Sequence, residues 1–336
     1  MVPFGIVRSR LRVAVADDIG ELVPGTGHGT TWAGVLRELG RHPKVRLVSG
    51  GRADVWLASG HARPPDGRPL VVQVHEASWA DAELRRVLAP AFAAAMEDAT
   101  SAAVGAAAQV ITPSAAARRQ VLEAYPRSPG SVHAIHHGVD HELFGPGRGG
   151  GRDLAGGPYV LFVGVIHPRK NVTAIRAGVA ALARAGHPHR LVIVGNPAAD
   201  SEAASYIRDA IAELPGLPDR VRLFQRLRAS DVAALMASAD AFCLPSLFEG
   251  FGLPALEAMA CGAPVVVSNR GALPEVVGDA GLIVDPDPET VSDAILRIVG
   301  DRDLAARLRA AGVARAAAFS WERTAAGWLD VLRSAA

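Results

Sequence analysis

Short apolar runs alternate with helical stretches along almost the whole chain, and this alternation constrains the fold more than any other feature. An apolar run, a helix and a second apolar run form the pattern of a βαβ unit, whose strands pair in parallel in one sheet. Strands are predicted at Leu11–Ala16, Val45–Ser49, Val55–Ala58, Leu70–His75, Gln109–Thr112, Val132–His136, Tyr159–Val163, Leu191–Val194, Val221–Phe224, Ala241–Leu244, Pro264–Val267 and Leu282–Val284. Helices are predicted at Thr30–Leu39, Ala82–Ala95, Ala115–Ala124, Val232–Ser238, Pro288–Val299, Ala305–Ala318 and Trp321–Ser334.

A glycine-rich stretch from Gly145 to Pro158 divides this alternation into two series. Leu154 is its only large aliphatic residue, which is typical of a flexible linker. At 336 residues the chain is also too long for one ordinary core. The sequence therefore predicts an α/β protein of two doubly wound domains, over residues 1–146 and 159–318, joined by a linker at 147–158. Ligands of such sheets bind at the carboxyl ends of the strands.

The composition restricts the classes of partner. The 35 basic side chains nearly balance 34 acidic ones, so no nucleic-acid partner is expected. The two cysteines, Cys243 and Cys261, lie in apolar contexts, which favours a reduced cytoplasmic protein over a disulfide-bonded one. No apolar stretch reaches membrane-spanning length and the N-terminus lacks a signal-peptide core. A soluble protein is expected, with peripheral contact to a membrane surface left open.

Two adjacent cations follow the first strand of the second series. Arg169 and Lys170 lie in the tract Gly164–Asn171, at a turn from a strand to a helix. An arginine fork and a lysine point charge beside a helix N-terminus would form a clamp for a diphosphate. A solvated Arg-Lys pair in a surface loop explains these two residues equally well when they are considered alone.

Two carboxylates flank a glycine turn in the tract Ser246–Gly262. Glu249 precedes the turn, and Glu257 lies about one turn into the helix that Pro254 opens. Glycines let a ligand approach the backbone, and the N–H groups at a helix start attract anionic or hydroxyl-rich ligands. A helix with a glutamate that complements its dipole would explain Glu257 but not Glu249 or the glycines. The tract therefore predicts a site for a ligand that bears both hydroxyls and phosphate.

The tract Glu249–Ala260 resembles the Glu-x7-Glu motif of the retaining glycosyltransferases of the GT-B fold, in particular glycosyltransferase family 4. The resemblance is strong over the second half of the chain and weak over the first. It implies two Rossmann-like domains that face each other across a cleft. The first domain would bind the acceptor, the second would bind a nucleotide sugar, and a C-terminal helix at 319–336 would cross back to the first domain. Further similar stretches are Gly138-Val139-Asp140, Arg169-Lys170-Asn171, Ser268–Gly281 and Phe319–Glu322.

The resemblance also implies roles for the charged residues. Glu249 would bond a hydroxyl of the donor sugar, and Glu257 would accept the ribose hydroxyls of the nucleotide. Arg169 and Lys170 would hold the diphosphate and stabilise its charge as it leaves. Neither a metal ion nor a cofactor is expected, because the two cations supply the positive charge and the nucleotide sugar is a substrate.

Backbone groups and first-domain residues complete the expected site. The turn at Gly250, with the N–H groups of Phe251, Gly252 and Leu253, would line the sugar and the diphosphate. In the first domain, Gly25–Gly29 precedes a helix and alone indicates only a structural turn. The resemblance places Gly27 and Gly29 near the donor phosphate and the acceptor. It also favours His75, at the end of a strand, as a contact of the donor sugar, and not its neighbour Glu76.

A run of histidines is interpreted as structural. Its members alternate within the predicted strand Val132–His136, and the tract His137–Asp140 is a normal variant of the family's turn after that strand, so no metal site is expected here. The run consists of His133, His136, His137 and His141.

The activity expected from the resemblance is transfer of a hexose from a nucleotide diphosphate sugar with retention of configuration. The leaving diphosphate would take the acceptor's proton in a front-face substitution. The tract Ile166–Asn171 favours GDP-mannose as the donor, with UDP-glucose and UDP-N-acetylglucosamine as alternatives. The acceptor would be a glycan, a lipid-linked oligosaccharide or a small natural product. Val165 stands where the family often has arginine, and Gln225 replaces a glycine near the nucleotide base.

Two other classes of function are less consistent with the residues. A non-catalytic sugar-nucleotide-binding module would have no need of Glu249, Lys170 and Glu257 together. A Rossmann dehydrogenase requires a Gly-x-Gly-x-x-Gly turn before its first helix, and the tract Gly25–Gly29 lacks that spacing.

Overall fold

The chain folds into two compact units. The computed structural model describes residues 10–16, 27–49, 52–60, 68–198, 204–212, 214 and 219–336. The first unit comprises Met1–Ala77, Ala95–Gly138 and Trp321–Ala336, and the second comprises Ser78–Ala94 and Val139–Ser320. The domain limits at 146, 158 and 318 stay predictions.

The first unit is built on a parallel sheet of six strands in the order β2-β1-β3-β4-β5-β6. Its central strands, β3 and β4, are buried along their whole length, as parallel strands covered by helices on both faces must be. The strands are β1 (Leu11–Val15), β2 (Val45–Val48), β3 (Val55–Ser59), β4 (Leu70–Gln73), β5 (Gln109–Thr112) and β6 (Val132–Ala134). The helices with most or all of their residues here are α1 (Gly27–Arg41), α3 (Pro90–Ala106), α4 (Ala115–Ala124) and α13 (Trp321–Ala335).

The second unit holds another parallel sheet of six strands, in the order β12-β11-β10-β7-β8-β9. The strand order reverses between β7 and β10, which are neighbours in the sheet. The strands are β7 (Tyr159–Val163), β8 (Arg190–Val194), β9 (Val221–Phe224), β10 (Ala241–Leu244), β11 (Val265–Ser268) and β12 (Leu282–Val284). The helices are α2 (Ala82–Arg85), α5 (Gly151–Ala155), α6 (Val172–Arg184), α7 (Ala204–Ile211), α8 (Ala229–Ser238), α9 (Leu253–Ala260), α10 (Leu273–Val277), α11 (Pro288–Gly300) and α12 (Arg302–Ala316).

The predicted α/β class with doubly wound sheets is confirmed, and each predicted strand is present to within two residues at either end. One predicted helix is wrong. The stretch Ala82–Ala95 forms two helices, α2 and the start of α3, because Pro90 cannot continue a helix and opens a new one instead. The helix predicted at Val232–Ser238 begins three residues earlier, at Ala229, after Arg228, which occupies the N-cap and whose guanidinium pairs with Asp231.

The stretch predicted to be a flexible linker contains a short helix. Helix α5 begins after Gly150 and ends at Gly156, and both glycines adopt the left-handed conformation. Gly151 is buried against α8, where a Cβ would approach the Ser238 hydroxyl to 2.8 Å. The glycines therefore serve close helix packing here as well as the turns that flank α5.

The last helix packs on the first helix of the first unit. Gly34 of α1 lies under the indole of Trp321 in α13, and a Cβ on Gly34 would stand 2.7 Å from Trp321 Cε2. Trp32 and Trp328 meet edge to face in the same interface, with ring centroids 5.1 Å apart. The absence of a side chain at Gly34 is what allows these two helices to approach so closely.

We expect Gly34→Ala to lower the free energy of unfolding by about 1–3 kcal/mol, because the rigid indole must shift to admit the methyl group. Urea denaturation would measure this. Gly105→Ala in α3 is the matched control, since nothing lies within 4 Å of a Cβ there. That control should be neutral or stabilising by up to about 1 kcal/mol. An equal effect of the two substitutions would contradict the packing described.

Candidate functional site

The strand order of the second unit brings two chemically important loops together. Strands β7 and β10 are paired in the sheet at Ala241↔Val160 and Phe242↔Leu161. Arg169 and Lys170 follow β7, and Glu249 follows β10. The chain leaves these neighbouring strands in opposite directions, and in doubly wound sheets such a point opens a crevice at the carboxyl ends.

A buried ion pair joins the two loops. Lys170 Nζ lies 2.6 Å from Glu249 Oε1, and the two side chains are only 15% and 9% exposed. The Ser246 hydroxyl donates a second hydrogen bond to the same carboxylate oxygen at 2.6 Å. Ser246 is itself held by the Ser268 hydroxyl, which donates to its carbonyl oxygen. The Glu249 carboxylate is therefore fixed from two sides.

The surrounding charges keep Glu249 ionised. Burial alone would raise its pKa, but the charges of Lys170 and Arg169 and the hydrogen bonds from Lys170 and Ser246 outweigh burial, so the pKa lies below its ordinary value. The sequence places Glu249 on a loop, and the structure does so too, but the side chain is buried. Substitutions at this position will therefore affect stability as well as chemistry.

Arg169 and Asn171 fasten the cation turn to the loops beside it. Arg169 Nη1 donates to the Phe248 carbonyl at 2.8 Å. Asn171 adopts the left-handed conformation with φ of 53°, which asparagine tolerates better than most residues. Its side-chain amide donates to the carbonyls of Pro245 at 3.2 Å and Pro286 at 2.5 Å. Backbone carbonyls that lie far away in the chain thus hold the turn that carries the two cations.

The glycine turn after Glu249 leads directly into helix α9. Gly252 is the N-cap with φ of 94°, and a Cβ there would stand 2.6 Å from Leu273 Cδ2. Phe251 directs its ring into the core, 6.2 Å from the ring of Phe319. Gly250 and Leu253 are buried as well. The segment thus brings the backbone, and not exposed side chains, to the start of α9, where the first N–H groups of a helix have no partner within the helix.

Glu257 differs sharply from Glu249. It lies one turn into α9, and its carboxyl group accepts no hydrogen bond from the residues that the structure describes. Its side chain is partly exposed, and desolvation by the surrounding protein raises its pKa to about 8. A carboxyl group in this state can bind hydroxyl donors that a ligand supplies.

The first-unit candidates cluster near the carboxyl ends of strands. Gly27 and Gly29 lie inside the first turn of α1, not in the loop before it as the sequence suggested, while Gly25 and Thr26 are outside the described residues. His75 follows β4, and its ring lies 4.4 Å from the ring of His28 and 5.0 Å from that of His137, measured between centroids.

The four histidines of the run do not converge on one point. His133 Nε2 bonds the Gln109 side chain at 2.7 Å, whereas His141 Nε2 bonds the carbonyl of Phe319 at 3.0 Å. His137 is buried, and desolvation, with smaller effects of neighbouring histidines, lowers its pKa to about 3. His137 is therefore a neutral packing residue at ordinary pH.

Several residues of the site were not predicted from the sequence. Ser246, Ser268 and Asn171 anchor the second-unit loops, and Gln73 bonds His75 in the first unit. Asn171 had a visible signal, because asparagine directly after two cations and before a helix suits a left-handed cap.

At the two positions where the chain departs from the family pattern, Val165 is 48% exposed and Gln225 is exposed after β9.

Comparison with known proteins assigns the chain to a family. The family model described as glycosyl transferases group 1 matches residues 153–315, and the model described as glycosyltransferase family 4 matches residues 19–143. The chain therefore belongs to the GT-B glycosyltransferases of the family 4 type. None of its helices within the described ranges is long and apolar enough to cross a membrane.

Curated relatives share about a third of their aligned residues with the chain. The MMP alpha-(1->4)-mannosyltransferase of Mycolicibacterium hassiacum is 35% identical over 68% of this chain and 54% of its own length. The O-antigen chain mannosyltransferase B of Escherichia coli is 38% identical over 50% and 44%. A D-inositol 3-phosphate glycosyltransferase of Saccharomonospora viridis is 35% identical over 64% and 53%. The chain thus spans about half the length of the curated relatives it matches.

Solved structures share the fold at lower identity. Sucrose-phosphate synthase of Thermosynechococcus elongatus has a TM-score of 0.77 at 21% identity and covers 97% of this chain and 99% of its own. HepE of Anabaena, solved with UDP and glucose, has a TM-score of 0.73 at 17% identity and covers 97% and 100%. These likenesses support the fold assignment.

Glu257 should make stability depend on pH. Its folded pKa of about 8 exceeds the value of about 4.3 in an unfolded chain. The folded state therefore holds the proton more tightly, and the free energy of unfolding falls as pH rises from about 4.3 to about 8. Glu257→Gln should remove this fall and be more stable than the native chain at pH 8.5 by about 2 kcal/mol, since partial exposure reduces the full effect.

Urea denaturation of both chains at pH 5 and pH 8.5 would test this pH dependence. Glu142→Gln, at an exposed glutamate of the same unit, is the control. Because it keeps Glu257, its free energy of unfolding should fall between the two pH values as much as that of the native chain. Parallel pH profiles for the native chain and Glu257→Gln would refute the assigned environment of this carboxyl group.

Breaking the buried ion pair should be costly. Lys170→Met leaves a buried carboxylate without its closest cation, so we expect the free energy of unfolding to drop by about 3 kcal/mol at neutral pH. The double variant Lys170→Met/Glu249→Gln should recover part of this loss because no buried charge remains unpaired. Arg228→Met breaks the exposed pair with Asp231 and should leave the free energy of unfolding nearly unchanged, because water and salt screen a surface ion pair. A double variant less stable than Lys170→Met would contradict this account.

Proposed function

We propose that this chain transfers a hexose from a nucleotide diphosphate sugar to an acceptor hydroxyl, with retention at the anomeric carbon and without a metal ion. The main support for this proposal is the pair of cations, Arg169 and Lys170, at the point where the strand order of the second unit reverses. Lys170 Nζ lies 2.6 Å from Glu249 Oε1 there. The site has two cations, one ionised carboxylate and, at Glu257, a carboxyl group with no hydrogen-bond donor among the described residues. These groups match a ligand that carries phosphates, sugar hydroxyls and ribose hydroxyls.

The diphosphate would bind to the cations. Arg169 already donates to the Phe248 carbonyl through Nη1, which orients its guanidinium, and Arg and Lys are the usual ligands of phosphate oxygens. Both side chains are half-buried, so their charges are less screened by water than those of surface residues. Helix α6, which begins at Val172 just after Lys170, adds its partial positive charge.

The hydroxyl groups of the donor would bind to the two carboxyls. Glu249 would accept a hydrogen bond from the hexose, next to the backbone N–H groups of Gly250–Leu253. Glu257 would accept the ribose hydroxyls, which fits a carboxyl group that has no hydrogen-bond donor among the described residues. His75 of the first unit would donate to the hexose, and Gly27 and Gly29 would permit close approach of ligand to backbone at the start of α1.

The reaction breaks the bond between the anomeric carbon and the diphosphate oxygen. The acceptor oxygen forms its bond to the same face of the sugar, and its proton passes to the departing diphosphate. Lys170 and Arg169 stabilise the negative charge that develops on the leaving group, which lowers the barrier most when the cations are already in place. This arrangement supplies, through side chains, the positive charge that a metal ion would otherwise provide.

GDP-mannose is the donor that the similarities favour. Two relatives of the chain bear mannosyltransferase names at 35% and 38% identity, and the tract Ile166–Asn171 has the form common among mannosyl transferases. UDP-glucose is the second candidate, because a structural neighbour was solved with UDP and glucose. The acceptor belongs to the glycans, lipid-linked sugars or small molecules with a free hydroxyl.

A nucleotide panel tests the donor site. We expect GDP to raise the melting temperature most, since a ligand at 100 times its Kd adds about 2.7 kcal/mol of stability. Arg169→Gln should weaken binding of both GDP and inorganic pyrophosphate by roughly tenfold, because both carry the diphosphate. Glu257→Gln should weaken only GDP. The exposed-residue control Arg228→Gln should bind both ligands normally.

Product analysis tests the reaction. With GDP-mannose and a panel of acceptor glycosides, proton NMR of the first product should show the donor's α configuration, and EDTA should leave the rate unchanged. No stabilisation by any nucleoside diphosphate would refute the donor site. An inverted product would refute the mechanism and leave the donor site standing.

A further inference from the structure

A glutamine at the end of strand β4 bonds the histidine that follows it. Gln73 is the last residue of β4, and its side-chain Nε2 lies 3.1 Å from His75 Nδ1. An amide nitrogen can only donate a hydrogen bond, so the ring nitrogen that faces it must accept. A neutral His75 that accepts at Nδ1 carries its proton on Nε2, the nitrogen on the opposite side of the ring.

Ring packing fixes the plane in which this hydrogen bond acts. The centroid of the His75 imidazole lies 4.4 Å from that of His28, with an interplanar angle of 60°, and 5.0 Å from that of His137, with an angle of 29°. His137 is neutral, because burial lowers its pKa to about 3. These contacts restrict the ring to one position, whereas only a polar neighbour such as Gln73 can decide which nitrogen holds the proton.

Packing alone does not explain a glutamine at position 73. The side chain is 2% exposed, and its Oε1 atom is buried without a hydrogen-bond partner among the described residues. A buried acceptor left unsatisfied costs about 1–3 kcal/mol. Methionine, with a similar length and no amide, would fill this space without that cost. A residue that costs stability where an apolar one would fit points to a role in function.

We infer that Gln73 is a positioning residue, which holds His75 as the Nε2–H tautomer so that this nitrogen donates to the hexose of the donor. The inference rests on the proposed function for the role of His75, while the tautomer itself follows from the geometry of the first unit. The opposite tautomer would direct a lone pair, not an N–H group, toward a sugar oxygen.

The tautomer can be measured directly. In the full chain labelled with ¹⁵N-histidine, the His75 signals, assigned by their loss in His75→Gln, should show a protonated Nε2 and an unprotonated Nδ1 at pH 7.5. Gln73→Glu places a carboxylate opposite Nδ1, which would pull the proton to that nitrogen and reverse the pattern. Gln73→Met should leave a mixture of the two forms.

Enzyme kinetics then distinguishes a role of Gln73 in positioning His75 from a role in stabilising the fold. Gln73→Met should melt at the same temperature as the native chain or higher, yet lose roughly tenfold in kcat/KM for transfer. Gln73→Glu should lose more, and its pH profile should move to higher pH because the carboxylate favours a protonated ring. Both variants should bind GDP normally, since that ligand's proposed contacts lie in the second unit.

A second Gln–His pair provides the matched control. Gln109, at the start of β5, bonds His133 at the amino end of the same sheet, away from the strand ends where ligands bind. Gln109→Met should leave kcat/KM unchanged. A native His75 with its proton on Nδ1, full activity in Gln73→Met, or an equal loss in Gln109→Met would each overturn the inference. If the native chain transferred no sugar, the proposed function would fail, and the NMR pattern would still decide the tautomer.

Discussion

The buried ion pair between Lys170 and Glu249 is the interaction on which the rest of the second unit's site depends. Removing two charges from water is expensive, and the pair is tolerable only because Ser246 and Arg169 add hydrogen bonds and charge around it. The pair also requires that β7 and β10 be neighbours, since Lys170 and Glu249 are 79 positions apart in the chain. The strand order is therefore a condition of the chemistry and not only a frame for it.

Local patterns in the sequence predicted the strands and most of the helices. Most of the structural features that they did not predict depend on contacts between residues that are distant in the chain. Strands such as Tyr159–Val163 follow from apolar runs, and the turn before α9 follows from its glycines and Pro254. The hydrogen bond from Asn171 to Pro286 spans 115 positions, so nothing local indicates it. The break at Pro90 is different, because the proline rule alone predicts it. The burial of Glu249, like the bond from Asn171, could not be predicted from local sequence, because it depends on the packing of loops that are distant in the chain.

Environment gives two carboxylates of one motif opposite character. Glu249 faces Lys170, Arg169 and the Ser246 hydroxyl, and its pKa is lowered, so it can only accept hydrogen bonds. Among the described residues no cation or hydroxyl is found to lower the pKa of Glu257, and burial raises it to about 8. Pairs of acids whose pKa values are separated by their surroundings commonly divide roles within a site. The two residues are only eight positions apart, and nothing local in the sequence indicates that their pKa values shift in opposite directions.

Each unit keeps a polar group that its own protein atoms do not satisfy. Glu257 lacks a hydrogen-bond donor, and Gln73 Oε1 lacks one as well among the described residues. Folding would be more favourable with an apolar side chain at position 73, because an unsatisfied buried group costs stability. Unsatisfied polar groups are concentrated at binding sites, because a bound ligand can supply the hydrogen bond that the protein does not. For Glu257 that partner would be a hydroxyl pair, and for Gln73 the cost is offset by the defined tautomer of His75.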